Sequence, residues 1–203
     1  ARGRMVAGTG EPHDGPMPES SDPEALRPFT LYHRAVRGVR GDSLQPLNVL
    51  RELHPDVYAR EAAKYVGREA LMQERVERLD CLWNDVLFFS PVHPGPLLDA
   101  VRATGREVPP VRFWTLSAAD LDPARACVHL PRPWPGGVKP AHDPADERPL
   151  DARTLRAVSV PPAGTLARLH ALPAGALLIL WMDVPHVLYR GSVPLGALGE
   201  LRA

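Results

Sequence analysis

The chain has 203 residues, 44% of them hydrophobic, and its 24 basic residues balance 24 acidic ones. That is enough chain for one core, and zero net charge excludes a global field that would hold nucleic acid or an anionic membrane by counterion release. No apolar run approaches the roughly 20 residues of a membrane span and no signal-peptide core follows the N-terminus, so a soluble, cytoplasmic protein with no membrane partner is expected.

Residues 1–28 are rich in Gly, Pro, Ser and charge and read as an N-terminal arm that cannot offset chain entropy by burial. Residues 29–203 read as a single α+β domain. FTLYHRAV, from Phe29, is the first strand, with Phe29, Leu31 and His33 on one face and Thr30 and Tyr32 on the other. A Gly-rich turn at 38–43 leads to the clearest helical stretch, Pro55 to about Leu79. There Tyr58, Ala62 and Tyr65, then Met72, Val76 and Leu79, recur at three and four, with Gly67 a point of division.

A strand follows at Leu82–Phe89, then the helix PLLDAVRATG, with Leu97, Leu98 and Val101 as its apolar face and Gly105 as its stop. Val111–Leu116 is a strand, Ser117 caps a single turn ending at Asp120, and ACVHL at 126–130 is another strand. Residues 131–150 hold six prolines and read as a long loop. Beyond it the pattern predicts a strand near Leu155–Val160, a helix near Thr165–Leu172 and a central buried strand in ALLILWMDV. A strand in HVLYRG and a closing short helix or turn in VPLGALGEL complete the chain. The expected architecture is α+β with one mixed or split β-sheet and helices concentrated in the N-terminal half.

Several chemistries are disfavoured outright, because the chain has no phosphate loop, no GxGxxG, no HExxH, no CxxC pair and no GxSxG elbow. The eight histidines show no ligand spacing, so no metal site is read from the sequence. Cys81 and Cys127 lie in apolar segments, as buried free thiols do.

The segment Cys81–Pro96 is the richest in polar groups set beside apolar ones. Asn84 and Asp85 interrupt its strand, either as a solvent-facing pair or local bulge, or with Asp85 as an orienter for Arg68 or a histidine. Tyr65 and Arg68, about one helical turn apart, could together hold an anion or form a solvated face. Ser90 and His93 could pair as nucleophile and base, but no orienting turn or oxyanion donor accompanies them. His33 is either a half-buried structural histidine or a hydrogen-bond donor to sugar hydroxyls.

The order of segments resembles the DNA-targeting ADP-ribosyltransferase (ART) toxins of the DarT type. The likeness is carried by Leu31-Tyr32-His33, the helical region, Phe88-Phe89-Ser90-Pro91 with Pro94, and Val111-Arg112-Phe113-Trp114, with a thinner echo at 187–194. The resemblance implies a split-sheet fold that binds NAD as substrate and transfers ADP-ribose to a nucleic-acid base or a protein side chain. His33 would contact the ribose, Phe88 or Phe89 would lie under the nicotinamide, Ser90 would belong to the same cleft edge, and Arg68 would be the catalytic arginine. Where the family has its catalytic Glu, this chain has His186. Either Asp183 or Glu200 substitutes for that acid, or the domain binds without transferring.

Two other classes stay open: a non-enzymatic binding protein that engages a protein partner through its Pro-rich segments, and a nucleic-acid-associated stress or repair factor using Arg34, Arg37 and Arg40.

Overall fold

The computed structural model describes residues 21–36, 38–67, 69–132, 142–173, 175–176 and 178–203. Asp22 opens the fold by accepting the Glu24 N–H, which caps the single turn α1 (Pro23–Leu26). Leu26 is fully buried, so the end of the expected arm belongs to the core. Strand β1 (Thr30–Arg34) follows, then β2 (Ser43–Leu44), α2 (Leu47–Leu53) and α3 (Pro55–Ala62).

The expected helix to Leu79 ends early. Three-ten turns at Ala63–Tyr65 and Glu69–Gln73 flank Gly67, whose φ of 77° takes the chain out of the helix. Strand β3 (Arg75–Val76), a 3-10 turn at Glu77–Leu79 and β4 (Cys81–Leu82) come next. The strand expected over 82–89 is split by a 3-10 turn at Trp83–Asp85, leaving β5 (Leu87–Phe89).

Helix α4 (Pro94–Arg102), β6 (Arg112–Ser117) and the Ser117-capped turn Ala118–Asp120 lie where the pattern put them, as does β7 (Ala126–His129). Within the Pro-rich segment, residues 133–141 lie outside the described residues. A 3-10 turn at Pro144–Asp146 and β8 (Glu147–Pro149) give that segment order a loop would lack.

Two expected strands are not formed in the C-terminal third. Leu155–Val160 is no strand: Asp151 caps α5 (Ala152–Val158) by accepting the Thr154 N–H at 2.7 Å, and local capping prevails over strand propensity. After α6 (Ala163–His170), the described residues of the apolar run ALLILWMDV form no strand, and 180–183 are a turn where a central strand was expected. Side chains take the carbonyls a sheet would have used. Arg106 donates to Ala176 O, Arg168 to Ile179 O and Met182 O, and Thr165 to Asp183 O. Asp183, at φ 61°, is left-handed and breaks any extended run. The chain closes with β9 (His186–Tyr189), β10 (Val193–Pro194), a 3-10 turn at Leu195–Ala197 within the VPLGALGEL segment where a short helix or turn was expected, and β11 (Gly199–Arg202), a strand not expected there.

The architecture is α+β with the sheet split in two larger parts. Antiparallel strands run β1-β6-β11 in one sheet and β5-β9-β7-β8 in the other, with two small pairs beside them, the hairpin β3-β4 and the long-range pair β2-β10. Four of the six α-helices among the described residues lie before residue 103. One core draws on both sheets, with Leu31 and Leu116 from the first and Leu87, Phe89, Val128 and Val187 from the second. A smaller cluster packs α4 and α6 around Leu97, Val101 and Leu169.

Candidate functional site

Among the described residues, one isolated backbone bridge joins the two sheets. Tyr32 and Ser90 exchange both backbone hydrogen bonds at 2.8 Å, after which β1 and β5 part. The gap is roofed by α2 and α3, which makes a cavity of 210 Å³ lined by His33, Leu50, Glu61, Asn84 and Phe88 among others. Antiparallel pairing explains the placement: the bridge at Tyr32 and Ser90 sets His33, the residue after Tyr32, beside Phe89, the residue before Ser90.

His33 is held on three sides. Its ring stacks on Trp114, its cross-strand partner, with centroids 5.7 Å apart, and meets Phe89 edge-on at 5.7 Å. Nδ1–H donates to Arg34 O at 2.7 Å. Burial pushes the imidazole pKa down from 6.5 to about 4, so the ring is neutral at pH 7. With the proton on Nδ1, Nε2 carries a lone pair. His33 is therefore an acceptor at its remaining nitrogen, the reverse of the donor role read from the sequence.

Phe88 and Phe89 separate by the period-2 alternation of β5. Phe89 is fully buried in the core, whereas Phe88 lines the cavity. Ser90 is also fully buried, and its Oγ accepts the Val92 N–H at 3.1 Å. His93 caps α4 by accepting the Gly95 N–H at Nδ1, so Ser90 and His93 are both engaged by local backbone and do not form a nucleophile–base pair. Asp85 accepts from Leu82 N and from Asn48 Nδ2, which joins the Trp83–Asp85 turn to α2. That partner was not legible, because Asn48 lies 37 residues away. Arg68 lies outside the described residues.

A second cavity, of 670 Å³, shares Lys64, Tyr65 and Phe88 with the first. His186 lines it from the start of β9, opposite His129 on β7, and its ring meets Phe88 at 6.3 Å. His142 and Trp83 line it too, and they were not singled out for this role from the sequence. His142 sits only 4% exposed and donates from Nε2 to Glu147 Oε1 at 2.6 Å. Glu147 is buried as well, and also accepts the N–H groups of Glu77 and Arg78. The H-x-x-x-x-E spacing carries no regular period, which is why nothing in the sequence marked this pair.

Of the acids weighed as substitutes, Asp183 lines the second cavity and is set against Arg168 at 3.6 Å. Glu200 is in neither cavity, being ion-paired on β11 with Arg112 and Arg202. Glu61, unnoticed in the sequence, is the carboxylate that shares the first cavity with His33, and it pairs with Lys64 and Arg60. Arg40 is ion-paired with Asp56 at 2.9 Å, and Arg37 lies outside the described residues. Among the described residues there is no group of three or more His, Cys, Asp or Glu placed to hold a metal ion. No helix among them is long and apolar enough to cross a membrane.

Comparison with known proteins finds no matching family model, no matching curated protein and no matching solved structure.

Proposed function

We infer that the chain is an ART-like domain that binds NAD in the cleft between its two sheets and transfers ADP-ribose to a nucleic-acid base or protein side chain. The observation that carries this reading is the neutral His33 beside the Tyr32–Ser90 bridge, in one cavity with Phe88. A ribose offers hydroxyl donors, and Nε2 of His33 is an acceptor fixed by its Nδ1–H bond to Arg34 O. Phe88 lines both cavities and supplies an aromatic face between them, suited to the nicotinamide ring. Transfer needs a carboxylate near the ribose carbon that loses nicotinamide, and in this reading Glu61 takes that role in place of an acid at His186.

Thermal melting with NAD tests the binding half. At 100 times its dissociation constant, NAD adds about 2.7 kcal/mol, a shift of roughly 5–10 °C for a chain of this size. His33→Ala should remove most of that shift, and wild-type protein that melts unchanged at millimolar NAD ends the reading. Release of nicotinamide from NAD, lost in Glu61→Gln, tests the transfer half. A melting shift without nicotinamide release would leave a binding protein.

A further inference from the structure

The open end of the β3-β4 hairpin brings two lining residues of the second cavity together. Arg75 pairs with Leu82 in the antiparallel register, so the next pair outward is Glu74 with Trp83, and the Trp83 N–H donates to Glu74 O at 2.8 Å. Cross-strand neighbours hold their side chains about 5 Å apart at Cβ, and both of these residues line the cavity. Phe88 lines it as well, its ring centroid 4.9 Å from that of Trp83 and the two planes inclined at 50°. Both rings pack against the core cluster of Val76, Leu79 and Val86 but are only partly buried, which leaves ring surface for the cavity wall.

Charge completes this corner. Three carboxylates line the cavity: Asp146 is held by Arg132 at 2.7 Å and Asp183 faces Arg168 at 3.6 Å, whereas the Glu74 side chain makes no ion pair or hydrogen bond among the described residues. The two basic side chains of the lining are engaged elsewhere, Lys64 with Glu61 and Arg132 with Asp143 and Asp146. Two inclined aromatic faces beside an unpaired carboxylate attract a cation through the ring quadrupoles and the charge together. Hydrogen bonding decides which cation. A primary ammonium has three N–H donors and a guanidinium five, and aromatic faces leave them unpaired; a quaternary ammonium has none to satisfy.

We propose that the corner of the second cavity formed by Glu74, Trp83 and Phe88 binds a quaternary ammonium group. The cavity, at 670 Å³, is larger than that head group, so the remaining space takes the body that bears it. A small molecule of the choline type and a trimethylated lysine side chain carry the same cation. The proposal does not rest on the NAD reading, since Glu74 and Trp83 line the second cavity and not the first.

Calorimetric titration of the full chain tests it, at about pH 8.5, where an ordinary imidazole is neutral. Choline is compared with 3,3-dimethylbutan-1-ol, which keeps its shape without the charge, and with ethanolamine, which keeps the charge without the methyl groups. A short peptide carrying Nε-trimethyl-lysine is compared with the same peptide unmethylated. In at least one of the two sets the trimethylated ligand should bind about tenfold more tightly than its controls, and the set that shows the ratio identifies the source of the cation. Glu74→Gln, a change at a side chain with no partner to lose, should weaken that ligand about threefold or more, and Trp83→Leu should bring it close to its controls. Equal binding of both trimethylated ligands and their controls, no binding of either at millimolar concentration, or an affinity unchanged in folded Glu74→Gln and Trp83→Leu overturns the proposal. The wild-type comparison decides it even if Trp83→Leu does not fold. Failure here leaves the NAD-induced shift and its dependence on His33 intact, so the two readings fail separately.

Discussion

Asp85 accepts a hydrogen bond from Asn48 Nδ2 at 2.7 Å and another from Leu82 N at 2.9 Å, so one carboxylate ties α2 to the turn that feeds β5. The roof of the first cavity and its floor are joined there. Asp85→Ala leaves the Leu82 N–H and the Asn48 amide without their acceptor and should cost about 2 kcal/mol. Urea denaturation measures it. A midpoint equal to wild type would mean that α2 is positioned by other contacts.

The depressed pKa of His33 makes stability pH-dependent. The group titrates at about 4 in the fold and near 6.5 when unfolded, so between those values the unfolded chain binds more protons. Its contribution is complete above pH 6.5 and is lost as pH falls toward 4, by up to roughly 3 kcal/mol. His33→Phe removes the titrating group while keeping a ring against Trp114 and Phe89. Over this window the variant should lose less stability than wild type; parallel curves would show that His33 is protonated in the fold as easily as in water.

Glu147 is the acceptor for two backbone N–H groups and the His142 ring, and all three donors depend on a residue that is itself buried. Glu147→Ala should destabilise by about 3 kcal/mol or more, since the donors are left unpaired. Glu147→Gln keeps one carbonyl acceptor and should cost visibly less. Equal losses, read from unfolding midpoints, would show that the backbone donors had found other partners.

Cys81 and Cys127 are free and buried, and burial pushes their thiols up to about 11 and about 12. Asp85 adds to the first shift and Glu147 to the second. The native protein should therefore react slowly with a thiol-specific chromogenic disulfide at pH 8, and both cysteines should react promptly in denaturant. Rapid labelling of the native chain would place at least one thiol in solvent.

The sequence by itself determined the α+β class and those elements whose signals are local. In β1 the alternation around Leu31, in α4 the apolar face of Leu97, Leu98 and Val101, and at Ser117 the cap of a single turn are each written in neighbouring residues. Asp151 carried an equally local signal, a cap three residues ahead of Thr154, and reading it would have turned the expected strand at 155–160 into α5. ALLILWMDV is different. Its apolar content predicts burial but not form, and its conformation was decided by Arg106, Thr165 and Arg168, whose side chains occupy its carbonyls from outside the segment.

The cavities belong wholly to the tertiary structure. Phe88 and Phe89 are chemically identical neighbours, and only the position of β5 between the core and the cleft makes one a wall and the other core. His142 acquires its partner only when β7 pairs with β8 and brings Glu147 under the 77–79 turn. Such groups act at a distance in sequence set by chain topology, so no spacing announces them, whereas caps and amphipathic faces act within one or two turns and can be read directly.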